Sequence, residues 1–180
     1  GTSWSLGPVD ISLNPDNTAL PVSVDYDDAA GNSAVQVTTT IILDTTAPSL
    51  GISTPAHGSY INTLNNGAAF TVSGSCDENG QTVSIFVDGA PAISPVGFVC
   101  NGITFTGAID TTGLASGVRS FTASMDDNQG NNTVSAANLV TKDITLPNVA
   151  ITSPLAGSYV NIFTNTVIFS VSGTCNEART

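Results

Sequence analysis

The stretch that decides the fold is DITLP at residues 143–147, which continues as NVAITSPLAGSYVN and, from residue 169, as FSVSGTCNEA. An earlier copy begins with DTTAP at residues 44–48 and continues as SLGISTPAHGSYIN and FTVSGSCDEN. Matching positions are separated throughout by 99 residues. Because a constant period is typical of a repeat array, the chain is predicted to consist of similar structural units joined in tandem.

The repeat boundaries divide the chain into three parts. Residues 1–47 are predicted to be the C-terminal half of one repeat, residues 48–147 a complete repeat, and residues 148–180 the N-terminal half of the next. A half repeat cannot bury its sheet face alone, because repeat units are stabilised by completing a core. We therefore expect either a segment of a longer chain or a subunit whose incomplete halves complete each other by strand exchange between copies.

The charge of the chain limits its partners. The chain has 14 acidic and three basic residues, a net charge of −11, and charged residues make up only 9% of it. Nucleic acid and anionic membrane surfaces are bound through lysine and arginine, so neither is expected as a partner. No apolar run is long enough to span a bilayer. The acidic surface suits an extracellular protein or one that binds divalent cations, and it equally suits a solvated surface that keeps long chains apart.

Alternating apolar and hydroxyl residues run through the complete repeat, and helical periodicity is almost absent. Seven short strands are predicted, from Leu50 to Val140, with turn signals at 88–89 and 114–117. Seven strands in about a hundred residues are typical of an immunoglobulin-like β-sandwich. The predicted fold class is therefore all-β, with tandem immunoglobulin-like sandwiches whose short, proline-bearing linkers stiffen the joints.

Two of the three cysteines, Cys76 and Cys100, lie in the complete repeat, at the predicted ends of its second and fourth strands. Cys175 matches Cys76, and its expected partner would lie beyond residue 180, which explains the odd number. We expect a Cys76–Cys100 disulfide in an oxidising, extracellular setting, with loop closure contributing roughly 3 kcal/mol. The alternative is that both are buried free thiols.

Acidic residues gather in loops and at the predicted joints. The hairpin loops at 27–32 and 126–131 are equivalent, and the second faintly resembles a calcium loop, but Ala137 stands where an EF-hand needs a glutamate. Turn chemistry explains these loops, because aspartate accepts hydrogen bonds from backbone amides and glycine supplies a positive φ. Calcium at the joints is a separate prediction, because oxygen ligands suit this ion. Its expected ligands are Asp44, Asp143, Asp27, Asp28, Asp126 and Asp127, with Glu78 and Glu177 in reach if they lie at the same end. No other cofactor is expected.

Residue patterns of known catalytic sites are missing from the sequence. His57 is the single histidine, and the next repeat has Leu155 in its place, so His57 is interpreted as an exposed turn residue. The sequence has no nucleophile elbow, no H-E-x-x-H zinc motif and no glycine-rich phosphate loop after a strand. A Lys–Asn crosslink at Lys142 is not a property of the repeat, because the first copy has Leu43. The chain is therefore not expected to be an enzyme.

A binding module is the second functional class that the sequence allows. A carbohydrate or protein site would lie at loops 89–97 or 111–117. Trp4, Tyr60 and Tyr159 could form a sugar-binding platform. The tyrosines recur at the repeat spacing, however, which favours core or corner positions for them.

Four motifs resemble those of the bacterial Ig-like (BIg-type) repeats of large secreted adhesins and surface proteins. They are I-x-x-P-x-x-G-S-Y-[IV]-N at 52–62 and 151–161, V-S-G-[ST]-C-[DN]-E at 72–78 and 171–177, D-x-x-G-N at 28–32 and 127–131, and D-[TI]-T-x-P at 44–48 and 143–147. The resemblance implies a sandwich fold, export to the bacterial cell surface and a stalk or filament role. It also implies calcium at the joints, with Asp44 and Asp143 as ligands.

The predicted function is that of a structural stalk or filament segment of a large extracellular bacterial adhesin or surface fibre, acting as a rigid spacer. Its expected partners are neighbouring repeats of the same chain or copies of itself in a fibre. A cell-surface ligand is expected only through a distal domain outside this sequence. The alternatives are a carbohydrate- or protein-binding Ig-like module and a fibre subunit that polymerises by strand exchange.

Overall fold

The computed structural model describes residues 3–94, 97–161 and 169–177, and every regular element in these ranges is a β-strand. The predicted all-β fold class is thereby confirmed. No helix in the described residues could cross a membrane. In chain order the strands are β1 (Thr18–Val24), β2 (Val37–Leu43), β3 (Leu50–Thr54), β4 (Tyr60–Ile61), β5 (Phe70–Cys76), β6 (Thr82–Val87), β7 (Ala90–Pro91), β8 (Phe98–Val99), β9 (Thr104–Ile109), β10 (Gly117–Asp126), β11 (Asn132–Val134), β12 (Asn138–Lys142), β13 (Val149–Ser153) and β14 (Ser172–Cys175).

The strands of the complete repeat form two sheets. One has the order β3-β5-β9, and the other has the order β4-β12-β10-β6-β7, with β8 added to β6 and β11 added to β10. The pair β4 and β12 is parallel, whereas β10 pairs antiparallel with both β12 and β6. Of the seven strands predicted from the sequence, the first, second and fifth (β3, β5 and β9) therefore share one sheet. The third, sixth and seventh (β6, β10 and β12) share the other. This is the arrangement of immunoglobulin-like sandwiches.

The two sheets bury one common apolar core. Every second residue of β5 points inward, beginning with Phe70 and Val72, because side chains alternate between the faces of a strand. The rings of Phe70 and Phe121 lie 6.2 Å apart and join the two sheets. The predicted sandwich is therefore confirmed. The buried apolar residues are Ile61, Phe70, Val72, Cys76, Val83, Ile85, Val87, Phe98, Cys100, Phe105, Ile109, Phe121, Ala123, Met125 and Val140.

Close packing inside the three-stranded sheet requires a glycine at position 74. A Cβ atom there would lie 1.9 Å from the carbonyl oxygen of Gly51 and 2.6 Å from the ring of Phe105. The Phe105 ring also meets Phe98 edge-on, with ring centroids 6.2 Å apart. The glycine of the V-S-G-[ST]-C motif therefore makes room for an aromatic side chain of the core.

The predicted seventh strand is divided in the structure into β11 and β12. Ser135, which lies between them, is buried, and its hydroxyl accepts a hydrogen bond from the backbone N–H of Ala123 at 2.9 Å. The backbone N–H of Ser135 donates to the carbonyl oxygen of Ala123 at 2.8 Å. Because a side chain replaces a backbone partner here, the regular ladder is interrupted. The apolar pattern alone did not show this break.

The 99-residue repeat holds in backbone geometry as well as in sequence. Thr18 pairs with Leu43 in the β1–β2 hairpin, and Gly117 pairs with Lys142 at the matching positions. The pair β13–β14 has the register of β3–β5, including the same irregularity after the isoleucine. The segments 1–47 and 148–180 therefore contain strand pairs with the same register as those of the complete repeat. The proposed domain boundaries themselves stay a prediction.

Candidate functional site

The two acidic hairpin loops have the same internal hydrogen bonds. Asp28 Oδ1 accepts bonds from the backbone N–H groups of Ala30 and Asn32 at 2.9 and 2.8 Å, and Oδ2 accepts one from the Asn32 side-chain amide at 2.8 Å. Asp127 accepts the same three bonds from the residues 99 positions later. The bonds from Asn32, that of its side chain above all, lower the pKa of Asp28. These bonds match the turn-chemistry interpretation of both loops.

The loop of the complete repeat also contacts the joint that precedes it. Asp127 is buried, and burial raises the pKa of its carboxyl group, but hydrogen bonds from Asn131 and Gln129 outweigh this effect and lower the pKa. The Asn131 side-chain amide donates at 3.3 Å to the carbonyl oxygen of Asp44. The loop is therefore a contact surface for the linker between β2 and β3.

Asp16 also holds this joint. Its Oδ1 accepts bonds from the backbone N–H and the hydroxyl of Thr45 at 2.5 and 2.9 Å, and its Oδ2 accepts one from the hydroxyl of Thr46. These bonds, that of the Thr46 hydroxyl above all, lower the pKa of Asp16. Sequence reasoning missed this residue because the matching position holds Ala115, so no repeat signal marks it.

The predicted calcium ligands lie at separate places. Asp44 and the pair 126–127 lie at one end of β10, whereas Asp143 follows β12 at the other end. The pair 27–28 lies at the tip of the β1–β2 hairpin, whose opposite end leads to Asp44. Oδ1 of Asp44 and Oδ1 of Asp143 each accept a bond from a backbone N–H two residues on, at 3.1 and 2.9 Å. Within residues 3–94, 97–161 and 169–177, no three carboxylate, imidazole or thiol side chains gather as a metal-binding group. Calcium at the joints stays a prediction.

Cys76 and Cys100 form a disulfide, with Cα atoms 6.0 Å apart, so this prediction is confirmed and the free-thiol alternative is wrong. Both residues are buried in the core. Cys76 ends β5 in the three-stranded sheet, and Cys100 follows β8, which pairs with β6 in the other sheet. The disulfide therefore ties the two sheets together. Cys175 is an exposed free cysteine.

Lys142 holds loop 111–117 by two hydrogen bonds. The side chain is buried, and its ammonium group donates to the carbonyl oxygens of Thr111 and Thr112 at 2.6 and 3.2 Å. The pKa of Asp110 is lowered, first by hydrogen bonds from Thr112 and then by the charge of Lys142. The buried cation is thus satisfied by backbone carbonyls at the base of the loop.

The two loops predicted for a binding module meet at a small cleft. Its volume is about 260 Å³, and it is lined by Val87, by residues 90–93 and 110, and by residues 112–114. Residues 95 and 96 of the first loop lie outside the described residues. A ligand site at these loops stays a prediction.

A larger groove of about 750 Å³ lies beside Tyr60, between the end of β3 and the start of β5. Tyr60 is 63% exposed and Tyr159 is 90% exposed, so neither tyrosine is buried among the described residues. Trp4 lies elsewhere, beside Tyr26 at a separate cavity. The core alternative for the recurring tyrosines is therefore wrong for Tyr60, and the corner alternative stays a prediction.

An asparagine-rich loop, residues 62–67, forms one wall of this groove. The backbone N–H of Asn62 donates to Asn65 Oδ1 at 2.7 Å, and Asn65 Nδ2 donates to the carbonyl oxygen of Tyr60 at 3.0 Å. The loop is also fixed by Thr111, which is fully buried and whose hydroxyl donates to Asn66 Oδ1 at 3.1 Å. The loop is thus fixed by bonds to its own asparagines, to the Tyr60 backbone and to Thr111.

The single histidine belongs to a turn. His57 is exposed, and its Nδ1 accepts a hydrogen bond from the backbone N–H of Leu139 at 3.2 Å. This contact ties the turn before β4 to the start of β12. The position agrees with the interpretation of His57 as an exposed turn residue.

Comparison with known proteins gives little about identity. No protein-family model matches the chain, and no curated protein matches it. One similar solved structure is that of the fibronectin(III)-like modules of Clostridium thermocellum CbhA. It is 14% identical, the match covers 54% of this chain and 99% of that one, and the TM-score is 0.41. Such a distant likeness carries no argument, so the fold rests on the strand order and the core described above.

Proposed function

We propose that this chain is a spacer segment of an extracellular bacterial stalk or fibre, built from tandem Ig-like sandwiches. The observation that carries the proposal is the recurrence of strand register and loop hydrogen bonds at the 99-residue spacing. Repeat units of this kind extend a chain, because each unit contacts only its neighbours. The disulfide supports an oxidising, extracellular compartment.

The bonds at the first joint support a stiff linker. Asp16 binds Thr45 and Thr46, and Asn131 binds the backbone of Asp44, so the four-residue stretch before Pro48 is held by both neighbouring units. Proline at the end of the linker restricts φ and adds rigidity. A stiff joint is what a spacer needs, because flexible linkers allow neighbouring domains to fold back on each other.

The spacer proposal is tested by small-angle X-ray scattering of the 180-residue chain. A compact chain of this length would have a radius of gyration of about 16 Å. We expect a clearly larger value and an elongated distance distribution. A radius near the compact value would contradict the proposal.

The role of Asp16 is tested by Asp16→Ala, with Asp10→Ala as the matched control. Among the described residues, Asp10 accepts a bond only from Ser12, within its own turn, so the control removes a loop carboxylate without touching the joint. We expect Asp16→Ala to raise the rate of subtilisin cleavage at residues 45–47 several-fold and the control to leave it unchanged. Equal rates for both variants would show that Asp16 does not stiffen the linker.

Calcium at the joints is a further part of this proposal. If Asp44, Asp143 and the paired loop aspartates bind the ion, excess calcium will raise the melting temperature and EDTA will lower it, because binding to the folded state alone stabilises it. The Asp126→Asn/Asp127→Asn double variant should abolish the shift at one joint. Identical melting curves with EDTA and with excess calcium would rule out this role. The distal ligand and strand exchange between copies stay predictions.

A further inference from the structure

The groove beside Tyr60, called here the Tyr60 groove, is uncharged in a strongly acidic chain. None of the lining residues in the described part of the chain is charged, although the chain has a net charge of −11. A charged ligand would lose its hydration there without gaining an ion pair, which is costly. A neutral ligand meets no such penalty. The groove is lined by Ser53, Thr54, Pro55, Ala56, Ser59, Tyr60, Leu64, Asn65, Asn66, Gly67, Ala68, Ala69, Phe70 and Thr71.

Two exposed side chains give the groove an apolar surface. Tyr60 has its backbone fixed in β4 opposite Thr141, yet its ring is mostly exposed. Leu64, at the tip of the asparagine-rich loop, is 94% exposed. An exposed aromatic ring supplies a large, rigid contact area at a low cost in conformational entropy. The apolar C–H face of a sugar ring is a suitable partner for such a surface.

Hydrogen-bonding groups stand beside the apolar surface. The Oδ1 atom of Asn66 lies 3.1 Å from the Thr111 hydroxyl, whose single proton is shared between this atom and the carbonyl oxygen of Gly67 at 3.2 Å, and Nδ2 has no hydrogen-bond partner among the described residues. The hydroxyl groups of Ser53 and Thr71 belong to exposed residues on neighbouring strands. Amide and hydroxyl groups around an apolar surface are the mixture that fixes the orientation of a small polar ligand.

We propose that the Tyr60 groove binds a neutral saccharide, with a sugar ring stacked on Tyr60 and a sugar hydroxyl accepting a hydrogen bond from Asn66 Nδ2. Because loop 62–67 is already held by its own asparagines and by Thr111, little ordering cost remains for binding. Tyr159 repeats Tyr60 in the next unit and is also exposed. The proposal goes beyond the spacer role, since it gives the complete repeat a saccharide site of its own beside β4.

The experiment begins with the full chain on a glycan array that carries neutral and anionic oligosaccharides. Neutral glycans should be retained and sialylated or uronic acid-containing glycans should not. The best neutral oligosaccharide is then titrated by NMR into the Tyr159→Ala background, which removes the recurring exposed tyrosine, so that stacking on Tyr60 is measured alone. Retention of anionic glycans alone, or of none, would overturn the proposal.

Variants identify the groove as the site. Tyr60→Ala should weaken binding about tenfold through loss of stacking, and Tyr60→Phe should keep it within about twofold. Asn66→Asp preserves the oxygen that Thr111 binds but replaces the free N–H donor with a negative charge, so about tenfold weaker binding is expected. The matched control is Tyr26→Ala, which removes an equally exposed tyrosine from the β1–β2 hairpin and should leave affinity unchanged.

The result does not depend on Tyr60→Ala folding normally. Leu64 is almost fully exposed, so Leu64→Ala should keep the melting temperature and weaken binding about threefold. Unchanged affinity in both Leu64→Ala and Asn66→Asp would overturn the proposal even if Tyr60→Ala were unstable. Absence of binding would leave the spacer function intact, because that function is tested separately, by scattering and by cleavage at the joint.

Discussion

The β1–β2 hairpin and the β10–β12 pair share one register but have different surroundings. Val22 and Ile41 are 43% and 47% exposed, whereas the matching Phe121 and Val140 are fully buried. In the complete repeat β10 also pairs with β6 and faces a second sheet, while in the described residues β1 pairs with β2 alone. Register is therefore a property of the two strands, and burial is a property of the sheet that covers them.

The largest expected effect is a difference in unfolding free energy between substitutions at matching positions of the β1–β2 hairpin and the β10–β12 pair. Phe121→Ala removes a buried ring that contacts Phe70 and should cost about 3–5 kcal/mol of unfolding free energy. Val22→Ala, at the half-exposed matching position, should cost under about 1 kcal/mol. Urea unfolding followed by near-UV circular dichroism measures both. Similar losses would mean that the β1–β2 hairpin is covered in solution as β10–β12 is.

Removal of the disulfide should give the next largest effect. The Cys76→Ala/Cys100→Ala double variant frees a loop of 24 residues and should lose about 3 kcal/mol in the same unfolding experiment. Cys175→Ser is the control, because this exposed cysteine forms no disulfide in the described residues, and its stability should not change. A loss well below 1 kcal/mol for the double variant would show that the sheets are held together without the bridge.

A glycine comparison tests packing within the three-stranded sheet. Gly74→Ala places a methyl group against the Gly51 carbonyl and the Phe105 ring, and overpacking of this kind should cost about 1–3 kcal/mol. Gly51→Ala meets only the Ser75 hydroxyl, at 3.3 Å, and should cost less than about 1 kcal/mol. Thermal unfolding of the two variants ranks them. The reverse order would show that the Phe105 ring moves aside without cost.

The smallest effect concerns pH and the two acidic loops. Folding lowers the pKa of both Asp28 and Asp127, so each contributes stability at pH values above the ordinary aspartate pKa of about 3.9 and loses it as the pH falls through the lowered value. NMR titration of the carboxyl carbons should place both below the ordinary value. The direction should agree in both loops although Asp127 is buried, because the hydrogen bonds are the same. A raised pKa for Asp127 alone would mean that burial outweighs them.

Much of the fold could be predicted from the sequence because its determinants are local or periodic. Alternation of apolar and hydroxyl residues predicted the sandwich, and the constant spacing of motifs predicted matching hairpins. The Cys76–Cys100 pairing followed from the positions of the two residues at predicted strand ends. The Asp–Gly–Asn loops followed from turn chemistry, since an aspartate that accepts bonds from residues two and four positions on needs no distant partner.

The tertiary structure decided the features that depend on distant residues. Thr111 binds an asparagine-rich loop that lies more than forty positions earlier in the chain, and Asp16 binds a linker about thirty positions later. No sequence pattern marks either contact. Tyr60 was expected at a core or corner position because it recurs, but it is exposed because neighbouring residues of β4 face opposite sides and Ile61 takes the inward one. The sequence by itself determined the succession of strands along the chain and the chemistry of the turns. Only packing decided which recurring residues are buried and which face solvent, because burial depends on what lies across the sheet.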